Sequence, residues 1–261
     1  LIFSEWMARS PKSTRAAIFK KTMSSSFTSS APVEVLVKRH SSQSPWTYSR
    51  LEQLQREIAE RARLGGPGAL ILSELAPVIT LGKRSDAHEL LVSREELERR
   101  GIEVLRTLRG GLATYHGPGQ WVLFAVDLLE RLTGDSRGVR RAVETLLDIA
   151  RTVGLEHDPS IEIRGGAETG VWSRRGKIAS VGVQVENRVL LHGLSVNGFK
   201  TATSFYGIKP CGLDAQADYL LREEGESFAR MGRRLEALAL RNFWEISGNK
   251  RNSLVLDDRR T

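Results

Sequence analysis

One stretch limits the fold more than any other: Arg109-Gly110-Gly111-Leu112-Ala113-Thr114-Tyr115-His116-Gly117-Pro118-Gly119-Gln120. Four glycines, one proline and five polar or charged residues in twelve positions make a poor helix and an equally poor strand, because glycine and proline interrupt regular elements. The stretch reads as a loop. Apolar runs on either side, Ile102 to Leu105 and Trp121 to Leu128, read as strands, so the loop joins two core elements. A glycine has no Cβ, and peptide N–H groups there can face a ligand directly. Arg109, Thr114, Tyr115 and His116 set several kinds of hydrogen-bonding group beside that backbone. The plainer alternative is a tight turn between two strands.

The rest of the chain alternates between strand and helix patterns. Val33 to Val37 reads as a strand, followed by a helix with Leu51, Leu54, Ile58 and Ala62 on one stripe, stopped by Gly65-Gly66-Pro67-Gly68. Ala69 to Leu72 and Val78 to Leu81 read as buried strands, and Ser93 with Glu96 carries a capping-box signature for a short helix ending near Gly101. Val139, Ala142, Val143, Leu146, Leu147, Ala150 and Val153 recur at helical spacing, with Gly154 as the expected stop. The period then changes to two. Gly170 to Ser173, Lys177 to Val185 and Val189 to Val196 read as three antiparallel strands, and a closing helix carries Phe228, Met231, Leu235 and Leu238.

No linker divides the body. The pattern predicts an α/β (α+β) fold: a single domain over residues 32–247, with a mixed, largely antiparallel sheet flanked by helices. Residues 1–31 read as a disordered, basic, Ser-rich leader and residues 248–261 as a polar tail. An acid-poor leader with Arg and Ser also fits a mitochondrial transit peptide.

A formal charge of +8 invites a nucleic-acid reading. Residues 1 to 33 hold five Lys/Arg against one acid and residues 248 to 261 hold four against two, leaving the body near +2. A nucleic-acid footprint belongs on the fold itself, so no nucleic acid is expected. No stretch approaches the apolar length that a bilayer crossing needs, and no membrane partner is expected. One cysteine, Cys211, excludes an internal disulfide, and the five histidines lack metal-ligand spacing. No metal is expected.

Cys211 lies in the Pro/Gly loop Gly207-Ile208-Lys209-Pro210-Cys211-Gly212-Leu213. It becomes nucleophilic as a thiolate, which a nearby ammonium, imidazolium or set of N–H groups favours. Lys177, Lys200, Lys209, His116 and His192 are candidate activators, and spacing does not choose among them. Taken alone, His192 reads as a satisfied, partly buried histidine and Lys177 as a solvated hairpin residue. Two further patterns fail: Gly176-Lys177 lacks the other P-loop residues, and Gly193-Leu194-Ser195-Val196-Asn197 ends a serine-elbow pattern in Asn on a hairpin strand.

Taken together, several blocks resemble the lipoyl(octanoyl) transferases. They are Thr80-Leu81-Gly82-Lys83, the Arg109 to Gln120 stretch, Thr169-Gly170-Val171-Trp172, Gly176-Lys177-Ile178-Ala179 with Gly182, His192-Gly193 with Asn197, and Pro210-Cys211-Gly212. The resemblance implies the fold of biotin and lipoate protein ligases, with no ATP, metal or other cofactor. It implies octanoyl transfer from octanoyl-acyl carrier protein to a lysine of lipoyl domains, those of 2-oxoacid dehydrogenase complexes and the glycine cleavage H protein, through an acyl-cysteine. Carried over by position, Cys211 is the nucleophile and Lys177 lowers its pKa. The substrate-binding residues map to Arg109, Gly110, Gly111, Leu112, Ala113, Thr114, Tyr115 and His116, to Ser180, Val181 and Gly182, and to His192, Gly193, Leu194 and Ser195.

The implied compartment is the cytoplasm, or the mitochondrion if the leader is a transit peptide. An ATP-dependent ligase on the same fold, or a binding module for lipoyl domains or acyl carrier protein, are the alternatives. Phe124-Ala125, Leu190 and Ser195-Val196-Asn197-Gly198 depart from the family's pattern. They touch the shape of the acyl pocket and its chain-length preference, not the catalytic groups. Arg174 and Arg175 form either a patch for an acidic carrier or a solvated hairpin tip.

Overall fold

The computed structural model describes residues 33–209, 216–245 and 254–256. Cys211, the leader and most of the tail lie outside the described residues. In chain order the elements are β1 (Glu34–Lys38), α1 (Tyr48–Arg63), β2 (Ala69–Ser73), β3 (Val78–Leu81), α2 (Arg94–Arg99), β4 (Glu103–Arg106), β5 (Thr114–His116) and β6 (Gln120–Leu128). There follow α3 (Leu129–Thr133), α4 (Val139–Leu155), β7 (Glu162–Arg164), β8 (Gly170–Trp172), β9 (Lys177–Glu186), β10 (Val189–Asn197), α5 (Glu226–Leu240) and β11 (Leu254–Leu256). Among the described residues, no helix is long and apolar enough to cross a membrane.

Eight strands form the main sheet in the order β11-β1-β2-β6-β10-β9-β8-β7, and a second sheet runs β4-β3-β5. β1 is parallel to β2 and β11, while the run from β2 through β6, β10, β9 and β8 to β7 is antiparallel. The expected mixed, largely antiparallel sheet is therefore present. Its central strand explains why the 121–128 run is apolar throughout. Trp121, Leu123 and Ala125 point into one core with α4 and α5, and Val122, Phe124 and Val126 into the other with α1. A strand covered on both faces needs apolar residues at every position rather than at alternate ones.

Helix α1 begins where Thr47 accepts a hydrogen bond from the Arg50 N–H, and it buries Tyr48, Leu51, Gln55, Ile58 and Ala62. The capping signature at α2 is half realised. Ser93 Oγ accepts from the Glu96 N–H, but the Glu96 carboxylate turns to Arg99, Arg100 and Tyr206.

Two local expectations need correction. Gly154 does not stop α4, which continues to Leu155. Its missing side chain is filled instead by Ile161 and Ile178, whose methyl carbons lie 2.9 and 3.1 Å from where a Cβ would stand. The glycine serves packing, not termination. The Arg109 to Gln120 loop also contains a strand, because Thr114–His116 pair antiparallel with Val78 to Thr80. That second sheet closes a separate small core with Leu97, Ile102, Ala113, Tyr115 and Ile208.

Candidate active site

The glycine-rich loop folds back on strand β9. Gly110 N–H donates to the Val183 carbonyl at 3.0 Å, and a Cβ on Gly182 would stand 3.2 Å from the Gly110 carbonyl oxygen. Gly111 takes a φ of +89°, where glycine is favoured, and its carbonyl occupies the space a Cβ on Gly82 would need, at 2.4 Å. Arg109 fixes the loop from beneath. Its buried guanidinium donates to Thr80 Oγ1 through Nε at 3.1 Å, to the Thr80 carbonyl at 2.6 Å and to the Gly110 carbonyl at 2.9 Å.

Between this loop and strands β9 and β10 lies a cavity of about 280 Å³. Arg109, Gly110, Gly111, Leu112, Thr114 and His116 line it from the loop. From the strands come Lys177, Ser180, Val181, Gly182, His192, Gly193, Leu194 and Ser195. Three segments singled out in the sequence thus meet at one place. Ala113 and Tyr115 do not line the cavity. The side-chain period along β5 is two, so Thr114 and His116 face the cavity while Tyr115, like Ala113, turns into the small core, its hydroxyl 2.7 Å from Thr203 Oγ1. Burial pushes the Tyr115 phenol up to about 12.

The wall also includes Tyr48, Arg84 and Val183, which the sequence did not single out, together with Thr169 of the resembling blocks and Phe124, one of the departures from the family's pattern. Tyr48 opens α1, a helix remote in sequence from the glycine blocks that line the cavity, so only the three-dimensional fold brings it in. Its ring stacks on both His116 and His192, at centroid distances of 5.8 and 6.4 Å, and Phe124 meets His192 edge-on. One end of the cavity is aromatic.

Lys177 opens β9, well before Val183, the strand partner of His192. It is 6% exposed, not the solvated hairpin residue its position between two glycine-rich turns predicts. Its ammonium donates to the Thr169 carbonyl at 2.8 Å and sits over the Trp172 ring. Its own backbone is held on both sides, N–H to the Gln216 carbonyl and carbonyl from the Asp218 N–H, each at 2.9 Å. The chain that resumes after residue 215 therefore runs beside Lys177, just downstream of Cys211 in the sequence.

A polar chain ties His116 to that same point. Gln120 donates through Nε2 to Asn197 Oδ1 at 2.9 Å, so its Oε1 is the acceptor facing His116 Nδ1 at 2.7 Å. Asn197 in turn donates to the Lys177 and Asp218 carbonyls. This direction places the imidazole proton on Nδ1. Burial pushes His116 down to about 4, against the Gln120 hydrogen bond, and burial with the Arg109 charge pushes His192 down to about 3. Both imidazoles are neutral at pH 7. The satisfied histidine expected at position 192 is found, with Nδ1 3.1 Å from the Tyr48 hydroxyl and Nε2 3.3 Å from Gln184 Oε1. Arg174 is exposed at the β8–β9 turn, and Arg175 pairs with Asp218 at 3.0 Å.

Arg84, Arg109 and Lys177 bring three cations to the cavity wall, and no carboxylate lines it among the described residues. Such a wall favours an anion or a developing oxyanion. Residues 48–228 match the family described as the lipoyl protein ligase A/B catalytic domain. An octanoyltransferase of Desulfotalea psychrophila is 36% identical over 68% of this chain and 80% of its own length. The chain belongs to the octanoyltransferase family.

An octanoyltransferase of Magnetococcus marinus is 43% identical over 55% of this chain and 62% of its own length. In fold the chain is similar to a bipartite lipoate protein ligase of Thermoplasma acidophilum, with a TM-score of 0.55 and 13% identity over 87% of this chain and 88% of that one. The expected family and the expected ligase-like α/β fold are both borne out. Membership makes it an enzyme family whose chemistry is acyl transfer.

Proposed function

We propose that the chain transfers an octanoyl group from octanoyl-acyl carrier protein to a lysine of lipoyl domains, through a thioester on Cys211. The observation that carries this reading is the convergence of the three glycine-bearing segments on one cavity that a buried lysine lines. Its volume, about 280 Å³, lies at the lower edge of the roughly 300–1,000 Å³ typical of small-molecule sites. That suits an eight-carbon tail better than a tail joined to a nucleotide. Each methylene taken from water contributes about 0.8 kcal/mol, so the tail supplies binding energy away from the reacting carbonyl.

The Cys211 thiolate attacks the thioester carbonyl, the carrier's thiol leaves with a proton given by the Lys177 ammonium, and an acyl-cysteine and a neutral Lys177 amine remain. The ammonium of Lys177 favours the thiolate and the oxyanion. The acceptor lysine then attacks as a neutral amine, forms the amide and expels the thiolate, and its proton passes to a base. His116, held near 4 by burial, is a weak base at neutral pH. Lys177 is the better placed carrier of that proton.

The test is intact-protein mass after incubation with octanoyl-loaded acyl carrier protein and no ATP, on wild type and Cys211→Ala. An octanoyl adduct on wild type alone, discharged by a lipoyl domain, is the expected result. Modification of the lipoyl domain only with free acid and ATP would overturn the reading in favour of a ligase.

A further inference from the structure

Strand β10 leaves its pairing with β6 at Leu191 and His192 and keeps its register on either side. Its pairing with β6 runs Val189↔Leu128 and Leu190↔Asp127 and resumes only at Gly193↔Phe124. At the break stands His192, with a φ of +59°, a conformation that histidine tolerates better than most residues but that glycine adopts freely. The freed His192 N–H is taken by Gln55 Oε1 of α1 at 2.7 Å, and the imidazole meets the Tyr48 hydroxyl of the same helix. The break is thus built into the contact between α1 and β10.

Behind the imidazole lies a second cavity of about 200 Å³, lined by Glu52, Gln55, Arg56, Gln184, Leu191 and His192. His192 lines both cavities. Gln55 is 1% exposed, yet its Nε2 has no hydrogen-bond partner among the described residues, and it belongs to this rear cavity's wall. That wall also carries Leu108 and Leu191, so a longer chain that entered would meet apolar side chains there. On the front side the imidazole stands against the rings of Tyr48 and Phe124.

We infer that His192 is the stop that sets acyl chain length: its imidazole, held by Tyr48 and Gln184 while Gln55 holds its backbone N–H, stands between the acyl cavity and the rear cavity. The inference rests on the octanoyl-transfer reading above. Removing the imidazole joins the two cavities and lengthens the slot.

The experiment uses His192→Gly in the full chain, with the rate of thioester formation on Cys211 followed by intact mass for acyl carrier protein loaded with six- to fourteen-carbon chains. Wild type is expected to peak at eight carbons. The variant is expected to raise the ratio of twelve-carbon to eight-carbon acylation by about tenfold. Glycine suits the φ of this position, and His192→Asn, shorter and also tolerant of that φ, reads the same ratio if the glycine variant fails to fold. A folded, acylating variant with an unchanged length profile overturns the assignment of His192. Wild type that forms no cysteine adduct at any length overturns the transfer reading, and the stop with it.

Discussion

A lysine ammonium among aromatic and backbone groups is held in place by few bonds, and what it does depends on each of them. Lys177 donates to the Thr169 carbonyl and lies 5.4 Å from the Trp172 ring centroid, contacts that aim the charge. On the proposed mechanism it acts on both the thiolate and the oxyanion. Lys177→Met keeps the aliphatic stem and removes the charge. Acyl-cysteine formation is expected to slow by about 10²–10⁴-fold, and the pH-rate profile to move to higher pH as the thiol loses its stabilising cation. The orphaned Thr169 carbonyl costs about 1–3 kcal/mol, which a melting curve separates from the rate loss. An unchanged profile would remove Lys177 from the chemistry.

Elements decide which of these residues were visible in advance. The glycine blocks were legible because close backbone approach demands glycine wherever it occurs: Gly110 against Val183, Gly82 against Gly111. What remained hidden was orientation. Nothing in the composition of residues 109–120 marks Thr114–His116 as a strand, since its partner β3 is remote in sequence, and without that strand Tyr115 cannot be told from its neighbours. Lys177 misleads for a related reason: a turn predicts exposure, whereas Trp172 and the chain after residue 215 cover it. Gly154 shows the same limit within a helix. Gly→Ala in a helix interior ordinarily stabilises by about 0.8–1 kcal/mol, but here the new methyl would stand 2.9 Å from an Ile161 methyl carbon, and overpacking costs about 1–3 kcal/mol. Gly154→Ala is therefore expected to destabilise by about 1 kcal/mol in denaturant titration. A gain would mean that the Ile161 and Ile178 side chains yield without cost.

At the scale of the molecule, α1, β5, β6 and β10 meet on two neutral imidazoles stacked about Tyr48. That arrangement links stability to pH. Histidine titrates near 6.5 in an unfolded chain, whereas burial holds His116 down to about 4 and His192 down to about 3 in the fold. As pH falls from 7 toward 4, the unfolded chain takes up two protons that the folded chain refuses, so stability is lost with falling pH and is fully present above about 7. Each imidazole contributes a slope of at most about 1.4 kcal/mol per pH unit. Between pH 7 and 5, above the range where carboxylates titrate, the loss is about 2–4 kcal/mol, or roughly 5–15 °C in Tm for a chain of this size. His192→Asn removes one of the two groups and should flatten the decline by about half, while lowering stability at pH 7 through the lost Tyr48 contact. Scanning calorimetry across pH 5 to 7 reads both effects. A Tm independent of pH over that interval would mean that the folded protein carries these imidazoles charged, and the aromatic end of the cavity would then be a polar one.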